Sequence, residues 1–531
     1  MATNDTRLTV TEFDFDEVKT KIVWFIEGEK EINYCALLSE SILEGNYKKF
    51  YFDNEEIYGV TAGSVYPQLW IRDASTAVPI LRHLYKNNEL VSWIIAHLSI
   101  QSDKGELQDW IMENNKTGKN TTESDQETSL IIAAYDVSKT IGYTWLNKKL
   151  NAKLILSRLE DALEFLFLHK LDKEHGLIKS GHTADWGDVS NEYFDERAVD
   201  LQPNSTEVVG IYTNSLVYSA ITKLSYMFSR AGRNKKSYYW DVKGLEIFNN
   251  IQKHLWQQSQ GFFLTHINLN SIPHTGFNEN MIFPMGGNAI AIEAGVANSK
   301  QTQSIFKKAI SLQNYYSQST ISGSLLPPYP NNYFKHPIMD EMYEYQNGGQ
   351  WDWFGGRFVL QMFKNNNKQA FLKAKEICKK TMLNNNMYEW DDINGRGRGS
   401  ARYSGSSAAI SRMIIEGIFG IEWTLDKIVL TPRLTMKSGY IYIPNVANDE
   451  FLSYEYKNLV SINKHILLIE LSFGSNAKAK KEVHLFTKIH DYVISEIIFN
   501  GRILNFNIND LKSIVFLDTD TGVLQITYNK P

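Results

Sequence analysis

Cysteine is almost absent from this chain of 531 residues, which contains only Cys35 and Cys378. Two cysteines so far apart form neither a metal-binding thiolate pattern nor the framework of a disulfide-rich domain. No segment is apolar enough to span a bilayer, and the polar N-terminus lacks the basic start and apolar run of a signal peptide. We therefore expect a soluble, cytoplasmic protein in a reducing compartment.

An excess of positive charge is also missing. The net charge of −5 provides no global basic field that could hold nucleic acid. The histidines have no metal-ligand spacing, and the chain has no phosphate loop, dinucleotide fingerprint or serine nucleophile elbow. We therefore expect neither a metal ion nor a cofactor, and no nucleic-acid or membrane partner. The sequence carries no signal for the oligomeric state.

Aromatic residues, in contrast, are abundant. They make up 13% of the chain, with 12 Trp, 28 Tyr and 27 Phe. Aromatic rings can stack on the apolar faces of sugars, but they also fill large cores. Composition alone favours a role of these rings in filling the core over a role in binding sugars.

Two patterns divide the chain. From residue 16 to residue 420, apolar residues recur at the three- and four-residue spacing of helices, as in Leu154 to His169. From residue 421 to residue 531, short alternating segments rich in Val, Ile, Leu, Phe and Tyr predict a β-sandwich-like antiparallel domain. Residues 1–15 remain as an N-terminal leader. The chain is therefore predicted to be mainly α, with a C-terminal β domain.

Hydrolysis of a glycosidic bond without a metal needs two carboxyl groups, so we searched the Gly- and aromatic-rich loops for acids. The first cluster is Trp70-Ile-Arg72-Asp73, just before a predicted helix. Its Arg can donate to one sugar hydroxyl and its Asp can accept from the next. The alternative is a helix-capping Asp beside a surface Arg, which the spacing alone favours.

The second cluster is His182-Thr-Ala-Asp185-Trp186-Gly-Asp188. A carboxyl beside an indole ring is partly desolvated, which raises its pKa towards that of an acid catalyst. The alternative is a turn with an Asx cap, and the local pattern does not separate the two.

The third cluster runs from Asn347 to Arg357 and contains Gln350, Trp351 and Trp353. Paired Gly and paired Trp fit a loop that approaches a ligand, or a tight helix start with the Trp rings packed beneath it.

The fourth cluster, Tyr388 to Ser400, places Glu389, Asp391 and Asp392 next to a Gly/Arg loop. A Ca²⁺ site is disfavoured because the spacing does not match an EF-hand, and a solvated charged loop is the plain alternative. A fifth, acidic segment opens a predicted helix, as the helix dipole favours. Its pocket candidates are Asp125 and Gln126.

In order and spacing, these clusters resemble those of the six-hairpin glycosidases over residues 60–420. The similarity is greatest to glucoamylases and to the amylo-1,6-glucosidase domain of glycogen debranching enzymes. Trp70-Ile-Arg72-Asp73 looks like the motif whose Arg and Asp hold the terminal sugar. Trp186-Gly-Asp188 resembles the general-acid loop, and Glu389 the late general base. Asn347-Gly-Gly-Gln-Trp-Asp-Trp353 is similar to a segment of the debranching-type domains.

The resemblance implies an (α/α)6 barrel and an exo-acting, inverting hydrolase of a terminal sugar, by default an α-glucoside. Asp188 would be the acid and Glu389 the base, on an oligosaccharide or other glycoside substrate. The implied sugar-binding residues are Trp70, Arg72, Asp73, Asp125, Gln126, Asp185, Trp186, Gln350, Trp351 and Trp353.

Two questions stay open at this point. Glucoamylases have a Glu where Asp188 stands, so Asp185 is a rival for the acid. Hydrolysis has two alternatives: an inverting phosphorylase whose Arg396, Arg398 and Arg402 bind phosphate, and a non-catalytic carbohydrate-binding scaffold.

Overall fold

The structure is a computed structural model. It describes residues 21–119, 123–189, 206–270, 276–433, 437–461, 463–474, 479–489, 491–507, 510 and 512–530. The predicted leader, residues 1–15, lies outside these ranges. The chain is mainly helical up to residue 418 and forms β-sheets after it.

The described ranges contain twelve α-helices: α1 Lys30–Asn46, α2 Ile71–Leu81, α3 Asn87–Ser99, α4 Asp125–Ile141, α5 Ile155–His169, α6 Ile211–Arg230, α7 Asn234–His254, α8 Met285–Glu293, α9 Ser299–Tyr315, α10 Asp352–Lys364, α11 Ala370–Asn384 and α12 Ser404–Arg412. Helix α12 continues in a π-helical turn, Met413–Ile418. Among the described residues, no helix combines the length and the apolar character that a membrane crossing requires.

The even-numbered helices pack in a closed series. Helix α2 contacts α4, α4 contacts α6, and the series continues through α8, α10 and α12 back to α2. The odd-numbered helices pack against them, as α7 does on α6 and α11 on α10. The even-numbered helices are more deeply buried than the odd-numbered ones, as α8 and α7 show. Helix α8 is buried from Met285 to Ile292, whereas α7 buries one stripe, Trp240, Gly244, Ile247 and Ile251.

Short strands join the helices: β1 Val23–Ile26, β2 Tyr47–Phe52, β3 Glu55–Val60, β4 Leu69–Trp70, β5 Trp110–Met112, β6 Lys116–Gly118, β7 Lys149–Leu150, β8 Lys153–Leu154, β9 Leu171–Asp172, β10 Leu177–Ile178, β11 Ser180–Gly181, β12 Glu207–Gly210, β13 Trp256–Gln257, β14 Phe262–Phe263, β15 His266–Asn268, β16 Phe283–Pro284, β17 Leu325–Leu326, β18 Trp390–Asp391 and β19 Gly397–Arg398. The C-terminal strands are β20 Ile421–Trp423, β21 Lys427–Leu430, β22 Gly439–Asn445, β23 Glu450–Val460, β24 Lys464–Phe473, β25 Lys480–Phe486, β26 Lys488–Ile489, β27 Tyr492–Phe499, β28 Arg502–Ile503, β29 Lys512–Leu517 and β30 Thr521–Asn529.

The C-terminal strands form two sheets. The larger is antiparallel in the order β1-β22-β23-β24-β30-β27-β26, and the smaller has the order β20-β21-β25-β29. Two details differ from the prediction. Strands β21 and β25 pair in parallel, and β1, from the predicted helical part, pairs with β22 through Val23 and Tyr442. Both pairings join segments far apart in sequence, so local alternation could not reveal them.

The helices and the sheets share one core. Phe419, fully buried after the last helical turn, stacks on Tyr456 with ring centroids 5.9 Å apart. Nearby, the Arg82 guanidinium donates a hydrogen bond to the Trp423 carbonyl and lies 5.7 Å from the centre of its ring. The C-terminal sheets are therefore an integral support of the helical part.

We expect Phe419→Ala to lower the free energy of unfolding by about 3–5 kcal/mol, because it removes a ring that fills this shared core. Urea denaturation followed by tryptophan fluorescence measures the change. The matched control is Phe516→Ala, since that ring is 70% exposed. The control should stay within about 0.5 kcal/mol of the parent protein. Equal losses in both variants would contradict the shared core.

Candidate active site

The residues singled out from the sequence gather at the starts of the even-numbered helices. Arg72 and Asp73 lie in the first turn of α2, and Asp125 is the first residue of α4. Tyr212, in the first turn of α6, donates a hydrogen bond to Asp125 (3.2 Å). Trp353, in the first turn of α10, donates to Thr76 in α2 (3.0 Å). First-turn backbone N–H groups lack helical partners and favour negative charge.

Arg72 is the centre of this group. The residue is 7% exposed, and its guanidinium donates to Asp188 (2.9 Å), Glu123 (3.3 Å) and Asp125 (3.4 Å). Although burial alone would lower the pKa of Arg72, the three carboxyl groups raise it, so the guanidinium stays charged. Burial and the charge of Asp125 raise the pKa of Glu123, which favours its protonated form.

Aromatic rings enclose the other sides of Arg72. The guanidinium carbon lies 5.8 Å from the ring centre of Trp186 and 6.0 Å from that of Trp353. Trp186 also packs edge-on against Trp351, with ring centroids 4.6 Å apart. The three indoles are only 1–2% exposed. Trp186 and Trp353 form a floor for Arg72, with Trp351 packed against Trp186. The three rings present little face on which a sugar could stack, and their role in lining the pocket stays a prediction.

Trp70 is the more accessible indole of the predicted set. It ends β4 and packs against Trp110, with ring centroids 6.2 Å apart. Its ring is partly exposed. Among the four predicted indoles, Trp70 is the one that retains surface for a ligand.

The loop after β11 carries Trp186 inwards and Asp188 outwards. Gly187, between them, has a φ of +131°, and an added Cβ would lie 2.1 Å from Gln346 Oε1. Glycine is required there because an L side chain would be both strained and blocked. As a result Trp186 is buried, while the Asp188 side chain keeps 27% of its surface exposed.

Asp185 is held differently. Its Oδ2 accepts a hydrogen bond from the Gly287 backbone N–H in the first turn of α8 (2.7 Å). Burial raises the pKa of Asp185 to about 8, although the hydrogen bonds from the backbone N–H groups of Gly286 and Gly287 act to lower it. Asp185 therefore fastens its loop to α8 and carries a proton near neutral pH.

Glu389 is enclosed at the other side of the site. Tyr66 donates to both of its carboxylate oxygens (3.0 and 3.1 Å), and the Ser400 backbone N–H donates to Oε2 (2.9 Å). Gly399, with a φ of +65°, allows this approach, since an added Cβ would lie 2.7 Å from Oε2. Burial raises the pKa of Glu389 to about 7, despite these hydrogen bonds, and the negative charges of Asp73 and Asp188 add to the rise.

Three tyrosines complete the site, and none was singled out from the sequence. Tyr66 binds Glu389, and Tyr403 donates to Asp73 Oδ1 (2.7 Å). The charges of Glu389 and Asp188 add to the effect of burial in raising the pKa of Tyr345. All three lie in or beside the Gly- and aromatic-rich loops, but periodicity says nothing about where a loop side chain points.

The two predicted glutamines have mainly structural contacts. Gln350 is fully buried, its Oε1 accepts from the Thr320 backbone N–H (2.8 Å), and its Nε2 donates to the Asp392 carbonyl (2.6 Å). It joins two loops, so we no longer expect it to touch a sugar. Gln126 donates to Asp125 Oδ1 (3.0 Å) and orients that carboxylate.

Two further acids of these clusters are neutralised inside the protein. The buried Lys380 donates to Asp352 Oδ1 (3.0 Å) and to Asp391 Oδ2. Ser322 also donates to Asp352 (2.7 Å). These acids therefore hold α10, α11 and the Glu389 loop together.

The sequence comparison agrees with this arrangement. Residues 46–408 match the profile of the family described as amylo-alpha-1,6-glucosidase. The chain belongs to this family. This match confirms the resemblance to the amylo-1,6-glucosidase domain that the sequence motifs predicted. A search of curated protein sequences found no match.

Solved structures similar to this amylo-alpha-1,6-glucosidase family member include two rhamnosidases. The α-L-rhamnosidase from Dictyoglumus thermophilum has a TM-score of 0.62 at 11% identity, covering 96% of this chain and 51% of its own. The GH78 family rhamnosidase of Bacillus sp. GL1 has a TM-score of 0.60 at 11% identity, covering 88% and 42%. The chain thus spans about half the length of these proteins.

A third similar structure is the GH63 mannosylglycerate hydrolase from Thermus thermophilus, in complex with Tris. Its TM-score is 0.53 at 12% identity, covering 70% of this chain and 98% of its own. At such identities the likeness concerns the fold.

We expect Lys380→Met to lower the free energy of unfolding by about 3–5 kcal/mol, because it leaves Asp352 and Asp391 buried without their counter-charge. Thermal and urea denaturation measure the loss. The control is Lys379→Met, one residue earlier and exposed, which should change stability by no more than about 0.5 kcal/mol. If Lys380→Met is as stable as the control, the ion-pair network does not support the fold.

Proposed function

We propose that this protein is an exo-acting, inverting glycoside hydrolase that releases a terminal sugar, by default an α-glucose, from an oligosaccharide or glycoconjugate. The observation that carries the proposal is a pair of carboxyl groups in one electrostatic site with different surroundings. Asp188 is partly exposed beside Arg72, whereas Glu389 is enclosed and senses the charge of Asp188. Environments that separate the protonation of two carboxyl groups are typical of acid–base pairs. Family membership supports the same reaction.

In this mechanism Glu389 is the general base. A pKa of about 7 is suited to the task, since the group is largely ionised at slightly alkaline pH and still accepts a proton readily. Tyr66 and the Ser400 N–H fix the carboxylate from two sides. The remaining lone pairs are available to orient a water molecule against the anomeric carbon.

Asp188 is the proposed general acid, and Arg72 controls it. The guanidinium donates a hydrogen bond to Asp188 (2.9 Å). If a sugar hydroxyl takes up an N–H of Arg72, as the family resemblance implies, that contact weakens and Asp188 is free to carry a proton. Sugar binding and protonation of the acid would then be coupled.

We also propose that the helical part is an (α/α)6 barrel, with a catalytic domain of residues 16–420 and a C-terminal domain of residues 421–531. The closed series of six even-numbered helices, with odd-numbered helices such as α7 and α11 packed against it, supports this architecture. A cytoplasmic location remains a prediction from the sequence.

The contacts of the arginines favour hydrolysis over phosphorolysis. Arg398 pairs with Asp392 (3.2 Å), and the Arg402 guanidinium donates to Ser41 (Oγ, 3.0 Å). Arg396 is exposed on the same loop. A phosphate site needs converging donors near the acid, and these side chains are engaged elsewhere or face solvent.

The acid and the base can be told apart by the leaving group. A dinitrophenolate leaves without protonation, whereas a sugar alkoxide needs a proton. We therefore expect Asp188→Asn to lower kcat about 10²–10⁴-fold on an oligosaccharide but far less on the dinitrophenyl glycoside. Glu389→Gln should lower kcat on both substrates by a similar factor. Steady-state kinetics, after a screen of nitrophenyl glycosides names the sugar, measure these effects.

The matched control is Asp185→Asn, which alters an acid of the same loop. It should show no dependence on the leaving group. If Asp185→Asn shows the dependence and Asp188→Asn does not, the acid has been assigned to the wrong residue. Early NMR spectra of the product test inversion independently. A product with retained anomeric configuration would exclude it.

The pH dependence gives a further prediction. Glu389 acts only when ionised, so kcat/KM should rise with pH through about 7, the pKa of this carboxyl. The substitution Tyr66→Phe removes a hydrogen bond that stabilises the ionised form of Glu389. This substitution should therefore raise the pKa of Glu389 and shift the acid limb of the pH profile to higher pH by about one unit. The control is Tyr388→Phe in the residue before Glu389, which should leave the limb in place. A limb that moves equally in both variants, or not at all, argues against Glu389 as the base.

A further inference from the structure

A second group of ionisable side chains lies outside the acid–base pair. His182 follows β11, His266 begins β15, and Glu279 opens a short helical turn. One ligand atom from each of the three lies within 4.8 Å of the others. The two imidazole rings are 4.4 Å apart, centre to centre. The cluster is mostly enclosed, because the histidine side chains are 2–3% exposed and Glu279 12%.

The distances in the cluster are longer than those of good hydrogen bonds. His182 Nε2 lies 3.4 Å from Glu279 Oε1, and His266 Nε2 lies 3.7 Å from Glu279 Oε2. Hydrogen bonds between such atoms centre near about 2.9 Å. Ligand atoms around a tetrahedral Zn²⁺ with bonds of about 2.0–2.1 Å are instead about 3.3–3.4 Å apart. The cluster is therefore closer to a coordination shell than to a hydrogen-bonded triad.

We propose that His182, His266 and Glu279 form a binding site for one divalent transition-metal ion, with Zn²⁺ the preferred ion. Two imidazole nitrogens and one carboxylate form a ligand set that Zn²⁺ favours, whereas Ca²⁺ and Mg²⁺ prefer oxygen alone. Within the described residues, His266 Nε2 is buried without a hydrogen-bond partner.

The surrounding groups would orient this ligand set. Asn268 donates to Glu279 Oε2 (2.8 Å). The Tyr333 hydroxyl lies 3.0 Å from Glu279 Oε1 and 3.2 Å from His182 Nε2. Partners in the second layer that fix the ligands are a regular feature of metal sites.

The position of the site indicates a structural role. Strands β11, β12 and β15 form one small sheet, which brings the loop start at His182 beside His266. The same loop carries Asp188. A bound ion would fasten the start of this loop to β15 and to the turn at Glu279. The sequence gives no sign of this site, because the three ligands come from separate segments and form no contiguous motif.

Metal content of the untagged full chain tests the proposal without any assay of activity. The protein is stripped with EDTA, dialysed, supplied with Zn²⁺ or Co²⁺, dialysed again and analysed by mass spectrometry for metals. We expect one equivalent per chain, a rise in the apparent Tm on addition of Zn²⁺, and the visible bands of tetrahedral Co²⁺. Lowering the pH should release the metal as the imidazoles gain protons.

Variants show whether these residues hold the ion. His266→Gln and Glu279→Gln should lose the bound equivalent, the Co²⁺ bands and the Tm response, while far-UV circular dichroism reports on folding. The control is His254→Gln, because His254 pairs with His175 at another, partly exposed place (ring centroids 5.0 Å). It should keep the full equivalent. Two results would overturn the proposal: no stoichiometric metal in the parent protein, or equal binding by the parent and by a folded His266→Gln variant. The cluster would then be a hydrogen-bond network centred on Tyr333.

Discussion

A buried positive charge organises the candidate active site. The guanidinium of Arg72 lies on a floor of indole rings and is almost closed to water. Removing such a charge from water costs several kcal/mol unless carboxylates compensate it. The compensation comes from two segments, which contribute the carboxylates of Asp188 and Asp125, and Glu123 accepts a further hydrogen bond beside Asp125. Because each must reach the same guanidinium, their loops have little choice of position. The positions of these acidic segments are therefore restricted by the charge of Arg72.

The ring of helices explains how residues so far apart in sequence converge. Four of the six even-numbered helices contribute a residue of their first turn: Arg72 from α2, Asp125 from α4, Tyr212 from α6 and Trp353 from α10. Their mutual contacts show that these helix starts lie together. Unpaired N–H groups at helix starts also favour the carboxyl groups of the site. A helical scaffold thus provides both the convergence and part of the electrostatic support.

Sequence patterns were informative where the signal was local. The helical periodicity and the order of the motifs predicted the mainly helical part, the β-rich tail and the family. Local patterns failed where orientation or long-range pairing decided the outcome. The resemblance implied that Trp186, Trp351 and Trp353 bind the sugar, whereas these three indoles are only 1–2% exposed. The pairing of β1 with β22 and the tyrosines around Glu389 depend on chain segments that only the folded structure brings together.

The two halves of the site are fixed by different means, and this difference bears on the mechanism. The Glu389 loop is held by the backbone of Ser400 and by the buried Lys380, which is paired with Asp391. Asp188, in contrast, is held through its side chain by Arg72. The family resemblance implies that a sugar hydroxyl takes an N–H of Arg72, which would alter the contact between Arg72 and Asp188, whereas the contacts of Glu389 with Tyr66 and Ser400 do not involve Arg72. A substrate should therefore find the base in place and rearrange the acid, and proton donation would begin only in the occupied site.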